Sequence, residues 1–72
     1  MTKWDNFDGK QVKITYSRPL HIRGLRKNKT VTELTVKIFS YNDNLYYRLG
    51  QQKAFCVKYL AERFITNIQN MS

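Results

Sequence analysis

The stretch AFCVKYLAERFITNIQNM, residues 54–71, decides how the whole chain folds. Set out at about 100° per residue, Ala54, Val57, Leu60, Ala61, Phe64, Ile65, Ile68 and Met71 gather in one arc roughly 140° wide, with no polar residue inside it. That is the pattern of a helix laid on a sheet. Phe55, Val57 and Tyr59 also alternate, however, and Ala54 to Leu60 is rich in strand formers. On this second reading the stretch is a fourth strand, a one-turn connection at Ala61–Arg63 and a short fifth strand at Phe64–Ile68. Gln51 and Gln52 are poor N-caps, which weighs against the helix. No turn residue separates the two strands, which weighs against the alternative. The leading expectation is a helix over about 53–70.

Upstream, three strands read clearly. Val12, Ile14 and Tyr16 alternate with Lys13, Thr15 and Ser17, giving a half-buried strand over 11–17. Arg18-Pro19 interrupts it, because proline donates no ladder hydrogen bond, and a bulge is expected there. Residues 18–29 then form a basic hairpin or arm with a turn at Asn28. Residues 30–40 are rich in β-branched side chains, with Leu34, Val36 and Ile38 on one face. Asn42-Asp43-Asn44 is a turn signal, and 45–49 is a third strand with Leu45, Tyr47 and Leu49 inward. Trp4 and Phe7 cap an open end of the core.

The expected fold is therefore α+β: a small β-β-β-α domain, its three-stranded antiparallel sheet covered by the C-terminal amphipathic helix. The alternative is a five-stranded SH3-like or Sm-like barrel. In the β-β-β-α fold, the far face of the sheet presents Lys13, Thr15, Thr35, Lys37, Phe39, Tyr46 and Arg48. The three-strand-plus-helix layout is similar to the arm-site DNA-binding domains of tyrosine recombinases, which place the sheet in the major groove. That likeness is one of layout, carried by no motif. For the barrel reading, Gly9–Tyr16 and Leu45–Leu49 resemble strands of Sm-like and WYL-type barrels.

Seventy-two residues suit one small domain with a thin core, burying about 60% of its unfolded surface. The net charge is +8, and it is concentrated. Between Gly9 and Thr32 there is no acidic residue, while Lys10, Lys13, Arg18, Arg23, Arg26, Lys27 and Lys29 all fall there. Such a field attracts polyanions. One cysteine and one histidine exclude a disulfide framework and a standard zinc site, so no metal and no cofactor is expected. Nor is a membrane span or leader, and the chain reads as a soluble cytoplasmic protein.

Enzymatic chemistry finds little support. The five carboxylates are scattered over different elements, and the glycines at 9, 24 and 50 form no phosphate loop. A Cys56–His21 pair would have to meet across the fold. A ribonuclease built on His21, Arg23, Arg26, Tyr46 and Arg48 lacks any specific pattern.

The leading functional expectation is a non-enzymatic nucleic-acid-binding protein, with DNA favoured over RNA. Lys10, Lys13, Arg18, His21, Arg23, Arg26, Lys27, Lys29, Lys37 and Arg48 would contact phosphates or bases, and Phe39 and Tyr46 would stack on unpaired bases. The alternative is a small protein-interaction or inhibitor module docking on an acidic surface of a larger partner. It draws on the outward Phe39, Tyr46, Phe55 and Tyr59, since aromatics and arginine dominate interface hot spots. A homodimer paired along the edge of the first or third strand is a variant of it.

Overall fold

Residues 54–71 are not a helix. A computed structural model describes residues 3–71, and in it this stretch divides into strand β4 (Phe55–Cys56), 3-10 turns at Val57–Leu60 and Glu62–Phe64, and strand β5 (Ile65–Asn70). The expected C-terminal helix is thus overturned, and the five-stranded alternative is close to what is found. The physical reason lies in the side chains. Phe55, Val57, Tyr59, Phe64, Ile65, Thr66 and Ile68 are aromatic or β-branched and lose rotamer freedom in a helix. The missing turn residue is supplied by Ala61, which adopts a left-handed conformation at φ 54°, ψ 54°. That costs about 1–2 kcal/mol for an L-residue. The sharp turn puts Leu60 wholly inside and starts β5 alongside the first strand.

The other strands are β1 (Lys10–Leu20), β2 (Val31–Tyr41) and β3 (Asn44–Arg48), preceded by a 3-10 turn at Lys3–Phe7. They form one five-stranded antiparallel sheet in the order β4-β3-β2-β1-β5. β1 and β3 are therefore interior strands. The edges belong to β4 and β5, which cover Tyr46–Tyr47 of β3 and Val12–Tyr16 of β1, so those stretches are not open to edge pairing with a second copy. Asn42 and Asp43 both take positive φ in the two-residue turn joining β2 to β3, as their side chains favour. The register of β1 against β2 slips between Thr15 and Leu20, around Pro19. The slip bends β1 and lets the sheet curl.

One core fills the curl. Val12, Ile14 and Tyr16 from β1, Leu34, Val36 and Ile38 from β2, and Tyr47 from β3 point into it. Trp4 closes one end, Ile22 enters from the β1–β2 connection and Leu60 from the 3-10 turn. Leu45 and Leu49, expected in the core, are half-buried at its margin. Among the described residues no helix is long and apolar enough to cross a membrane.

Two phenols bind the irregular segments to this core. Tyr16 donates its O–H to the Leu60 carbonyl at 2.6 Å, and Tyr47 donates to the Arg23 carbonyl at 2.6 Å. Burial pushes Tyr16 far above the ordinary tyrosine value of 10.0 and pushes Tyr47 up to about 12, against the lowering pull of the Arg23 charge. The folded state holds these protons more tightly than the unfolded chain. Their contribution is complete below pH 10 and is lost as the pH rises through the folded values. Alkaline titration should therefore unfold the protein cooperatively from about pH 10 to pH 12 and beyond, with two of the five tyrosines ionising only as the buried Trp4 becomes exposed. Absorbance at 295 nm beside tryptophan fluorescence measures both; five tyrosines ionising together in a folded protein would contradict it.

Candidate functional site

The basic connection between β1 and β2 does not project as a ribbon. Ile22 is fully buried and Leu25 half-buried, so the segment is drawn back onto the core. Turns close within it, from Leu25 N to Ile22 O at 3.0 Å and from Lys29 N to Arg26 O at 3.0 Å. His21 Nδ1 lies 2.8 Å from the Lys29 carbonyl, and Asn28 takes the expected left-handed turn at φ 68°. Arg26, Lys27 and Lys29 stay exposed at the tip. The root of this fold-back is Gly24. It sits at φ +107° with its Cα hydrogens against Leu49 and Phe55, where a Cβ would meet Leu49 Cδ1 at 2.8 Å and Phe55 Cε2 at 3.3 Å.

Drawn back in this way, the 16–25 segment runs along the 55–64 segment, and the two meet in a seam. Tyr16 joins Leu60 by its hydrogen bond, and Gly24 abuts Phe55. Between these contacts the arginines lie on aromatic rings. The Arg18 guanidinium is 4.4 Å from the Phe64 centroid, and Arg23 is 4.5 Å from Tyr59 and 5.8 Å from Phe55. Arg63 is 5.4 Å from Phe64, and Lys58 is 5.3 Å from Tyr59. Each exposed cation–ring contact is worth about 0.5–1 kcal/mol. Such contacts also restrict flexible guanidinium groups.

A second surface lies on the outward face of the sheet. The register aligns Lys13 with Thr35, Lys37 with Arg48, Phe39 with Tyr46, and Tyr46 with Cys56. Alternation then sets Lys13, Thr15, Thr35, Lys37, Phe39, Tyr46 and Arg48 on one face, as the sequence leads one to expect. Phe39 and Tyr46 are stacked on each other at 6.0 Å, and Arg48 lies 5.4 Å over Phe39. Lys13 is paired with Glu33 at 3.3 Å. This basic face is thus partly engaged with itself. Lys10 falls on the opposite side of the alternation, exposed at the start of β1.

The candidate residues therefore divide into three places: Arg18 and Arg23 in the seam, His21, Arg26, Lys27 and Lys29 at the tip, and Lys13, Lys37, Phe39, Tyr46 and Arg48 on the sheet, with Lys10 apart. His21 and Cys56 belong to different places, the tip and β4 beside Tyr46. Among the described residues no group of three or more His, Cys, Asp or Glu is placed to hold a metal. Arg63 and Phe64 are seam residues that the sequence did not single out. The helix reading turned Phe64 into the core and Arg63 to solvent, and only the strand reading would have set them beside Arg18.

No family model matches the chain, and no curated protein or solved structure matches it significantly. The meaning of the seam rests on its own chemistry.

The packing makes one direct prediction. Gly24→Ala adds left-handed strain and an overpacked contact, about 1–2 and 1–3 kcal/mol respectively. Gly50, at φ +61° with open space around it, incurs the first cost alone when changed to alanine. Urea unfolding followed by Trp4 fluorescence should place G24A below G50A in stability; the reverse order would mean that the arm is not packed on the core.

Proposed function

We propose that the chain is a small, non-enzymatic protein-interaction module that docks on an acidic surface of a larger protein through the seam. The observation that carries this is the array of arginines stacked on rings: Arg23 on Tyr59, and Arg18 and Arg63 on Phe64. Arginine and tyrosine are the side chains that dominate interface hot spots, and here they come already ordered. A partner pays little further rotamer entropy to fix them. The net charge of +8 sets the sign of the partner. A single free cysteine, Cys56, suits the reducing cytoplasm, where we place the protein.

Nucleic acid, with DNA favoured over RNA, is a second reading. It is supported by a different observation, the cluster of Lys13, Lys37 and Arg48 around Phe39 and Tyr46 on the outward sheet face. The groove-entering ribbon that would have read base sequence has no counterpart in the folded-back arm. What remains for this reading is phosphate contact.

Fluorescence anisotropy of labelled polyglutamate and labelled duplex DNA, at about 50 and 200 mM salt, tests both. The docking reading expects polyglutamate binding that is lost in R18E/R23E and kept in K37E/R48E. The DNA reading expects the opposite pattern, with a log–log salt slope of about −4.5 for five phosphate contacts. Absence of polyglutamate binding at the lower salt overturns the docking reading.

A further inference from the structure

We infer that the seam takes an extended acidic segment, held by two carboxylates, with Arg23 as the anchor at one end and the Arg18–Phe64–Arg63 cluster at the other. This rests on the docking reading and goes further, because it specifies a linear ligand with a defined spacing. Three observations carry it.

The first is the shape of the cation array. The stacked arginines do not form a round patch. They come from two chain segments that meet, with Arg23 over Tyr59 at one contact and Arg18 and Arg63 over Phe64 at another. Arg23 lies five positions after Arg18, so even a fully extended backbone would set them no more than about 16 Å apart, and the bulge and turn in this segment bring them closer. Two same-face residues four apart in an extended peptide are separated by about 13 Å. An acidic residue, three spacers and a second acidic residue fall within that limit.

The second is how firmly Arg23 is held. Its carbonyl accepts the buried Tyr47 O–H at 2.6 Å, so its main chain is tied to the core. Gly24 behind it is packed on Leu49 and Phe55, and its guanidinium lies over Tyr59 at 4.5 Å. Its main chain is tied down and its guanidinium rests over a ring, although the residue is exposed like Arg26, Lys27 and Lys29 of the tip. A planar guanidinium with a fixed ring plane offers a fork that a carboxylate meets with two parallel hydrogen bonds. A lysine at the same place would offer only a point charge.

The third is the rings themselves. Tyr59 is 42% exposed although its face carries a guanidinium, so apolar surface remains beside the cation. Carboxylates flanked by aliphatic or aromatic spacers would cover it.

The test uses the intact chain and labelled nonapeptides of Gly and Ser, carrying Glu at positions 3 and 7, Glu at 3 alone, or Gln at both. The two-Glu peptide is expected to bind about tenfold tighter than the one-Glu peptide, and the Gln peptide not measurably. R23K, which keeps the charge, should lose about tenfold, and Y59L a similar factor. K27Q, which removes a charge from the tip, should stay within about twofold. Unfolding midpoints read from Trp4 fluorescence show whether each variant is folded. Equal affinity for one-Glu and two-Glu peptides, or wild-type binding by a folded R23K, overturns the clamp. If polyglutamate binding is still abolished by R18E/R23E, the docking reading survives that loss. If neither polyglutamate nor any peptide binds at about 50 mM salt, both fall together.

Discussion

The pairing of β5 with β1 is the contact on which the remainder of the molecule depends. It runs from Val12–Asn70 to Tyr16–Ile65 and joins opposite ends of the chain. Each ladder hydrogen bond contributes only about 0.5–1.5 kcal/mol net, so the pairing cannot stand on hydrogen bonds alone. It stands because Ile65 and Ile68 cover the open side of a core that β1 and β2 leave incomplete. The left-handed turn at Ala61 is the local cost of bringing β5 to that place. Once β5 is laid down, Leu60 is carried inside and its carbonyl meets the Tyr16 hydroxyl.

Those same contacts create the seam. β1 leaves β5 after Tyr16, keeps a last pair with β2 at Leu20–Val31 beyond the slip, and the chain then curves back. Its continuation would be a loose basic loop if nothing received it. The 55–64 segment receives it, through Tyr16 on Leu60, Arg18 on Phe64, Arg23 on Tyr59 and Gly24 against Phe55. Stability and binding chemistry are joined here. The two buried phenols that hold the irregular segments also fix where Arg18 and Arg23 stand.

Much of this was open to a reading of the residues. The period-two alternation over Val12–Tyr16, Leu34–Ile38 and Leu45–Leu49 gives the first three strands and their inward faces. It also gives the outward face of Lys13, Lys37, Phe39, Tyr46 and Arg48. The turns at Asn42–Asp43 and Asn28 follow from side chains that tolerate positive φ. Residues 54–71 resisted because both periods fit them. A helical stripe and a strand alternation coexist when apolar residues are dense, and local pattern then loses its power to decide. What decided was the strand preference of these side chains joined to a non-local demand: β1 needed a partner on its free side. No window of sequence contains that fact, and alanine at the turn hid the break. The site shared this fate, since Arg18 and Arg23 were visible as charges, whereas Phe64 and Arg63 became their neighbours only through the turn.

Charge alone describes this protein poorly, because its cations are of two physical kinds. Exposed as Arg18, Arg23 and Arg63 also are, Arg26, Lys27 and Lys29 stand on the tip. Charges of that kind act at a distance, raise the rate of encounter with an acidic partner and are weakened by salt. Arg18, Arg23 and Arg63 are laid on rings, at distances from the nearest centroid of 4.4, 4.5 and 5.4 Å respectively. Ordered guanidinium groups beside apolar surface act at contact, where directional hydrogen bonds and water exclusion govern how slowly a complex comes apart. A net charge of +8 would serve a polyanion of any shape, whereas on the docking reading the two kinds of cation would serve different steps of one association. On the proposed reading, the tip sets how often a partner arrives and the seam sets how long it stays, and that division is what a small basic sheet domain gains by folding its arm back onto its own aromatic residues.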